Sequence, residues 1–396
     1  MASNHNSRSG SSRRGQVSTL IFLQVRGLFH RSLTILMAIL AAAIVGSIIM
    51  ILVDRNPIVV YRLLFQNAFG SQRALFITIQ RATPLIFTAI ASSIAFRTGV
   101  FNVGVEGQFL IGAIAGTFVG YAVELPMILH LPLALLTGFV GGALWAFIPT
   151  LMRQKLGVSE IITTIMTNYI ATFFISWLTN YPMREDPTVA QTPIVQDTAR
   201  IPQFVNLNPN LGKGTQAHLG IFIALAVVIT TWYIFKYTKL GYQWRMVGLS
   251  ALFSEFGGIS MNKTFIGGML VSGGIAGLGG AVEILGVWRR YKDLFATGFG
   301  FKGNLASLLG GQTIIGSTIA ALFYGGLEAG ALGLEWETGI PRQLIDIVVG
   351  LIIFFMAAQG MWGFLTQIKI FKGTFGQGLT AFVKRVFTSN KKEDTV

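Results

Sequence analysis

The sequence predicts an all-α polytopic membrane protein, and three observations carry that fold class. Of 396 residues, 52% are hydrophobic and only 12% are charged, where a soluble domain carries about 25% charged residues. Apolar runs of roughly 20 residues, enough to span a bilayer, recur along the whole chain. Glycine is abundant at 47 residues, as close helix packing in lipid favours. A transmembrane barrel would instead alternate polar and apolar residues over short strands, and the sequence has no such stretches.

The elements follow in order. Residues 1–32 carry Arg8, Arg13, Arg14, Arg26 and Arg31 and no acid, which reads as a basic cytoplasmic tail. The apolar run behind it is too long, and lacks a small-residue cleavage site, for a removable leader. The first span is 33–53, with its positive flank inside. Residues 54–72 form a polar-to-amphipathic outer segment. The second span, 76–96, contains Pro84. The stretch "RTGVFNVGVEGQFLIGAIAG" at 97–116 opens a third span that ends near residue 121. A loop with Pro126 and Pro132 leads to the fourth, 133–151, and Arg153 and Lys155 place its end in the cytoplasm. The fifth span is 158–178. The external loop, 181–218, is rich in Pro, Asn and Gln, and its charges cancel. A sixth span, 219–235, leads to a cytoplasmic loop, 236–263, that carries Lys236, Lys239, Arg245 and Lys263 against Glu255 alone. The seventh span is 264–287.

The next stretch, "GFGFKGNLASLLGGQTIIG", is too short to cross a bilayer at about 1.5 Å per residue. It reads as a half-helix or re-entrant element, tolerated only where protein buries it. Spans at 314–332 and 344–358 complete the transmembrane domain, 33–360, and a second basic tail, 361–396, is again cytoplasmic. Both termini inside requires an even number of crossings, and about ten fit if the short element crosses. Arg289, Arg290 and Lys292 then fall on the outer side, against the positive-inside bias, where they suit an external partner.

Several chemistries have no residues to support them. Cysteine is absent and the four histidines are scattered, so no metal-ligand spacing exists. No phosphate-binding G-x-x-x-x-G-K-[ST] occurs, and "GKGT" at 212–215 lacks the spacing. No nucleophile–base–carboxylate set is legible, so neither a catalytic residue nor a cofactor is expected. The net charge of +14 is the sum of Lys and Arg at cytoplasmic helix ends, not a nucleic-acid surface.

The signal lies in polar residues inside apolar runs, which are costly there unless they face protein or water. Asn102, Glu106 and Gln108 stand at the mouth of the third span between Gly99, Gly104 and Gly107. Glu106 either pairs with Arg97, is held by amides of the glycine-rich turn, or touches cargo. In the fifth span Thr164 and Asn168, four apart, share a face, and either tie helices together or line a pathway. Asn304 and Ser307, three apart on the short element, are placed to line the centre. Glu283 is expected to pair with Arg289 or Arg290. A loose echo links "FNVGVEGQFLIGA" and "FGFKGNLASLLGG": glycine-interrupted segments at matching places in two halves point to a central pathway, and chance between two glycine-rich strings explains the likeness equally well.

Six stretches then appear in one order. "TPLIFTAIASSIAFRTGVFNVGVEGQFLIGA", "KLGVSEIITTIMTNYIA", "GYQWRMVGLSALFSEFGGISMNK", "VSGGIAGLGGAVEILG", "GFGFKGNLASLLGG" and "GIPRQLIDIVVGLIIFF" resemble the ATP-binding-cassette importer permeases of the branched-chain amino acid, simple-sugar and nucleoside group. The likeness covers about 56–356, and the branch it most resembles is the longer permease of bacterial nucleoside importers. The resemblance implies a subunit of the bacterial cytoplasmic membrane that forms a translocation pathway without being an enzyme. It implies a second permease subunit in a heterodimer, two ATP-binding subunits that hydrolyse ATP, and an extracytoplasmic binding protein, lipid-anchored or periplasmic, that delivers a nucleoside or simple sugar. Asn102, Glu106, Gln108, Thr164, Asn168, Asn304 and Ser307 would then belong to the pathway. The 236–263 loop would couple to the ATPase through Trp244, Gly248, Glu255, Phe256 and Gly258. Two departures stand out: Ser254, Glu255 and Phe256 where the family has small residues, and Lys302 and Asn304 where it has an acid and small apolar residues. The rivals are a permease for sugars or branched-chain amino acids, an ion-coupled transporter working through Glu106 or Asp346, and a purely structural membrane protein.

Overall fold

The computed structural model describes residues 40–41, 43–293, 295, 298–339, 346–347, 350–351 and 354–355. The basic tails lie outside the described residues, and only scattered helical positions of the expected last span lie within them. The chain divides into two compact units, 1–57 with 346–396, and 58–345. In the first, helix α1, Ala43–Leu52, exposes Ile44, Ile48, Ile51 and Leu52, as a lipid-facing stripe would.

The second unit is a bundle of helices with two isolated β-bridges, Gln191 with Lys292 and Gln203 with His218, among its described residues. Helix α2, Pro57–Phe69, occupies the expected outer segment. Proline suits its first position because that N–H has no helical partner anyway. Val60, Leu64 and Ala68, spaced by four, form its buried stripe. Helix α3, Gln72–Arg97, starts on Ser71, whose hydroxyl accepts from the Ala74 amide at 3.1 Å. Helix α4, Val105–Ala122, starts about eight residues after the opening of the expected span, because 98–104 is two turns joined by a short non-helical link, with Gly99 at φ 78°. Helix α5, Met127–Leu156, begins ahead of Pro132 and ends on Gly157 in the left-handed region. Helix α6 is Glu160–Asn180.

Beyond it, 181–219 holds a 3₁₀ turn and the single turn α7, Phe204–Leu207. Helix α8, Gly220–Tyr237, leads into two short helices, α9, Lys239–Leu249, and α10, Ala251–Phe256. Helix α11, Met261–Glu283, finishes in a π-turn, Ile284–Trp288. Helix α12 is Phe299–Leu309 and α13 is Ile314–Thr338. Seven helices (α3, α4, α5, α6, α8, α11 with its π-turn, and α13) are long and apolar enough to cross a membrane among the described residues.

Helix α11 is the centre of the bundle and packs on α3, α4 and α5. Glycine makes those contacts possible. A Cβ on Gly112 would lie 2.1 Å from the Cα of Gly277, and one on Gly142 would lie 2.3 Å from the Gly273 carbonyl oxygen. With no room for a methyl, the backbones touch, and dispersion does the work that water release does in a soluble core.

The 181–219 segment is a strap over the end of α11. Helix-end carbonyls have no intrahelical partner, and the strap supplies donors: Ile201 N to Leu285 O at 3.0 Å, Val195 N to Arg289 O at 2.8 Å and Gln203 Nε2 to Gly286 O at 3.0 Å. His218 is packed against Gly220 and Gly286, and burial pushes its imidazole down to about 4, so it is neutral. Glu283 does not pair with Arg289 or Arg290. Its Oε1 accepts from Trp288 Nε1 at 3.2 Å, while Arg290 reaches Glu185 of the strap at 3.1 Å. That ion pair gives one of the three cations expected on the outer side an acidic partner.

Candidate functional site

Two helices of the bundle begin inside it. Asn168 lies eight residues into α6 and Ser272 eleven residues into α11, so at 1.5 Å per residue they sit about 12 and 16 Å from the helix starts. Thr88, nine residues before Arg97, is similarly about 13 Å deep. Asn168 and Ser272 bond the start of α4 and Thr88 packs on Gly303 of α12, so both short helices begin beside the middle of their long neighbours rather than beside the ends. Each start exposes backbone N–H groups with no helical acceptor. Their N-caps, Gly104 and Gly298, bring no side chain to satisfy them.

Other helices do so. At α4, Asn168 Oδ1 accepts from the Gly107 amide at 2.8 Å and its Nδ2 donates to Val103 O at 3.0 Å. Asn102 Oδ1 accepts from the Gly104 amide at 2.9 Å. Its Nδ2 donates to Gln108 Oε1 at 2.9 Å and to Ser272 Oγ at 3.0 Å. Thr164 bonds back to the Glu160 carbonyl at 2.6 Å and packs on Gly104. At α12, Glu106 Oε1 accepts from the Gly298 amide at 2.5 Å and Oε2 from the Gly300 amide at 2.6 Å. A Cβ on Gly300 would lie 2.3 Å from the Glu106 nitrogen, and Phe109 and Phe299 face each other at 5.6 Å. The two echoing glycine-rich strings thus meet in space. Arg97 is not the partner of Glu106: its Nε donates to Gln312 O at 2.8 Å.

Further along α12, Asn304 Oδ1 accepts from Ser92 at 2.5 Å, and Ser93 bonds both Ser307 at 2.8 Å and Ser317 at 2.7 Å. Lys302 forms an ion pair with Glu328 of α13. All seven expected pathway residues are therefore buried and bonded to other parts of this chain. They form two polar knots, one around the start of α4 and one along α12. The Lys302–Glu328 pair escaped sequence reasoning, since the two residues are 26 positions apart on separate helices. Phe301 and Leu305, apolar and 46% and 36% exposed, mark an uncovered face of α12 that was also missed.

The coupling residues divide. Trp244 is buried and lies 5.5 Å from Phe235, so its ring is taken up within the chain rather than offered to a partner. A Cβ on Gly248 would lie 2.2 Å from the Arg97 carbonyl oxygen, which seats α9 under the end of α3. Glu255, Phe256 and Gly258 stand on the exposed tip of α10 and its turn. Phe256 is 85% exposed there, alongside Leu249, Leu252 and Phe253. Thr238 caps α9 through the Gly241 amide at 3.1 Å and Ser250 caps α10 through the Phe253 amide at 3.3 Å, which fixes the tip's direction.

Apolar helices around two interrupted ones, polar inside and glycine-packed, define a membrane permease. The family described as branched-chain amino acid transport system / permease component matches residues 74–357, and the chain belongs to it. It is a multi-pass protein of the bacterial plasma membrane. The guanosine ABC transporter permease protein NupP of Bacillus subtilis is 39% identical over 82% of this chain and 92% of its own. The nucleoside ABC transporter permease protein NupB of Lactococcus lactis is 37% identical over 82% and 90%. A glucose ABC transporter permease protein of Haloferax volcanii is 33% identical over 82% and 86%. No solved structure matches the chain.

Proposed function

We propose that this chain forms half of the translocation pathway of an ATP-binding-cassette importer for nucleosides. The observation that carries the reading is its likeness to the guanosine and nucleoside permeases over about nine-tenths of their lengths. A second permease subunit, in a heterodimer, completes the pathway. Two ATP-binding subunits supply the energy and an extracytoplasmic binding protein supplies the cargo. The transmembrane domain is 33–360, with ten crossings counting α12, both basic tails in the cytoplasm, and the strap outside. The tip of α10, with Glu255, Phe256 and Gly258, presses its apolar side chains into the ATPase, where exposed aromatic anchors carry most of the contact energy.

Asn102, Glu106, Gln108, Thr164, Asn168, Asn304 and Ser307 act on the pathway by holding α4 and α12 in place. A half-helix in lipid has no water to satisfy its first amides, so these side chains set where each one starts and points. The likeness to a glucose permease favours a simple sugar as the second reading, since a sugar and a ribose present similar hydroxyls. The test is reconstitution of the whole transporter in proteoliposomes. Guanosine uptake that requires ATP and the binding protein is the expected result. ATP-driven uptake of glucose alone establishes the second reading, and uptake driven by an ion gradient without ATP sinks both.

A further inference from the structure

The start of α12 is an unusual place for a helix to begin. Its first amides lie beside the middle of long neighbouring helices, its N-cap is a glycine at φ 98° with no side chain, and a lysine, Lys302, stands in its first turn. A helix N-terminus already carries about half a positive charge. The ammonium of Lys302 is taken up by Glu328. The amide end is taken up by a carboxylate from a different helix, with one Glu106 oxygen on Gly298 and the other on Gly300.

Taking the permease reading above as its basis, we propose that Glu106 is a latch between the two half-helices, a positioning residue that holds α12 against α4 in the resting transporter and releases it during the cycle. Both carboxylate oxygens are engaged and the residue is 5% exposed, so it has little to offer a passing substrate in this state. The backbones meet at Gly300 with no space for a methyl group, so α12 cannot slide past α4 with the bonds intact. Any rearrangement that parts the two helices breaks both bonds together. It also strands a carboxylate and a helix end in a medium that solvates neither. Such a junction has two arrangements, closed and open, rather than a continuum. The latch thus makes the resting state closed until ATP binding or cargo delivery supplies the difference. Glutamine in its place keeps one acceptor, turns an NH₂ group toward an amide donor, and removes the charge that complements the helix end.

The experiment uses the whole reconstituted transporter and compares wild type with Glu106→Gln. Hydrogen–deuterium exchange of 298–303 is expected to accelerate about tenfold, as loss of a charge at a buried helix end implies. ATP hydrolysis without cargo should rise and guanosine moved per ATP should fall, with the half-saturating guanosine concentration unchanged. A residue of merely structural importance would lower the yield of folded complex without uncoupling it. Unchanged exchange, with a half-saturating concentration raised tenfold, overturns the latch and makes Glu106 a substrate contact. If Glu106→Gln fails to assemble, Glu106→Asp keeps the charge and leaves the carboxylate one methylene short of the Gly298 and Gly300 amides. Faster exchange with uncoupled hydrolysis supports the latch, and wild-type behaviour overturns it. A wild-type transporter that moves no nucleoside sinks the importer reading instead, and the exchange comparison still reports on the latch because it needs no cargo.

Discussion

Lys302 and Glu328 show how a chain keeps charges at membrane depth. A lone charge there is costly, and each of these residues answers the other across α12 and α13. The Lys302 side chain keeps 30% of its surface exposed, so its share of the interaction is partly screened. Lys302→Met should leave Glu328 without its cation and lower stability by about 1–3 kcal/mol, below the 3–5 kcal/mol of a fully buried pair. Lys302→Met with Glu328→Leu should recover most of that loss. Thermal unfolding of the detergent-solubilised protein measures both, and a double variant no better than the single one would show that the pair is uncoupled. In sequence, Lys302 stands out only as a departure from the pattern of the importer permeases. Its partner was not legible, because which faces of two helices meet is set by packing and not by spacing along one chain.

The helices were legible at their centres and not at their starts. The run 97–116 reads as the opening of one span with its polar groups at the mouth, yet 98–104 is two turns joined by a short non-helical link. Composition alone does not separate a buried non-helical segment from a helix of the same hydropathy. Helix α2 hid for the opposite reason: its Arg62, Gln66 and Asn67 dilute a stripe of Val60, Leu64 and Ala68 that only the period reveals. The glycine count announced close packing, whereas which glycines touch is a property of the bundle. Gly277 is one that does, against both Gly112 and Gly142. Gly277→Val should therefore separate α11 from α4 and α5 and abolish the monodisperse folded protein on size exclusion. Gly258→Ala serves as the comparison. Nothing lies within 4 Å of a Cβ there, so the only cost is that of a side chain at φ 78°, about 1–2 kcal/mol. Equal yields of the two variants would remove the glycine contacts from the account of the fold.

At the scale of the molecule, contacts sort the ends of the 58–345 bundle. Arg153 meets Glu160 at 3.0 Å, Gln154 Nε2 donates to Asn262 O at 2.9 Å, and Arg97 meets Gln312. One end therefore gathers the close of α3, the close of α5 and the starts of α6 and α11. The strap joins the other end, where the Gln196 amide donates to Gly120 O at 2.8 Å. By the bias of Lys and Arg toward the cytoplasm, the first end is expected inside. Thr188, exposed on the strap, is then expected outside. The chain has no cysteine, so Thr188→Cys gives a single thiol. An impermeant maleimide should label it on intact cells, and labelling only after lysis would invert the assignment.

The sequence by itself determined the membrane as solvent, the order and approximate centres of the seven long helices described, the short element near residue 300, and the likeness to importer permeases. Those properties are one-dimensional, since they depend on how many apolar residues follow one another and which strings stand in which order. Only the tertiary structure decided that the polar residues at the mouth of α4 serve as caps for half-helices, that Glu106 reaches across to α12, and that Trp244 turns inward while Phe256 turns out. A buried polar group must find its partner in three dimensions, and Glu106 finds its own nearly two hundred residues away, in amides that no side-chain pattern encodes.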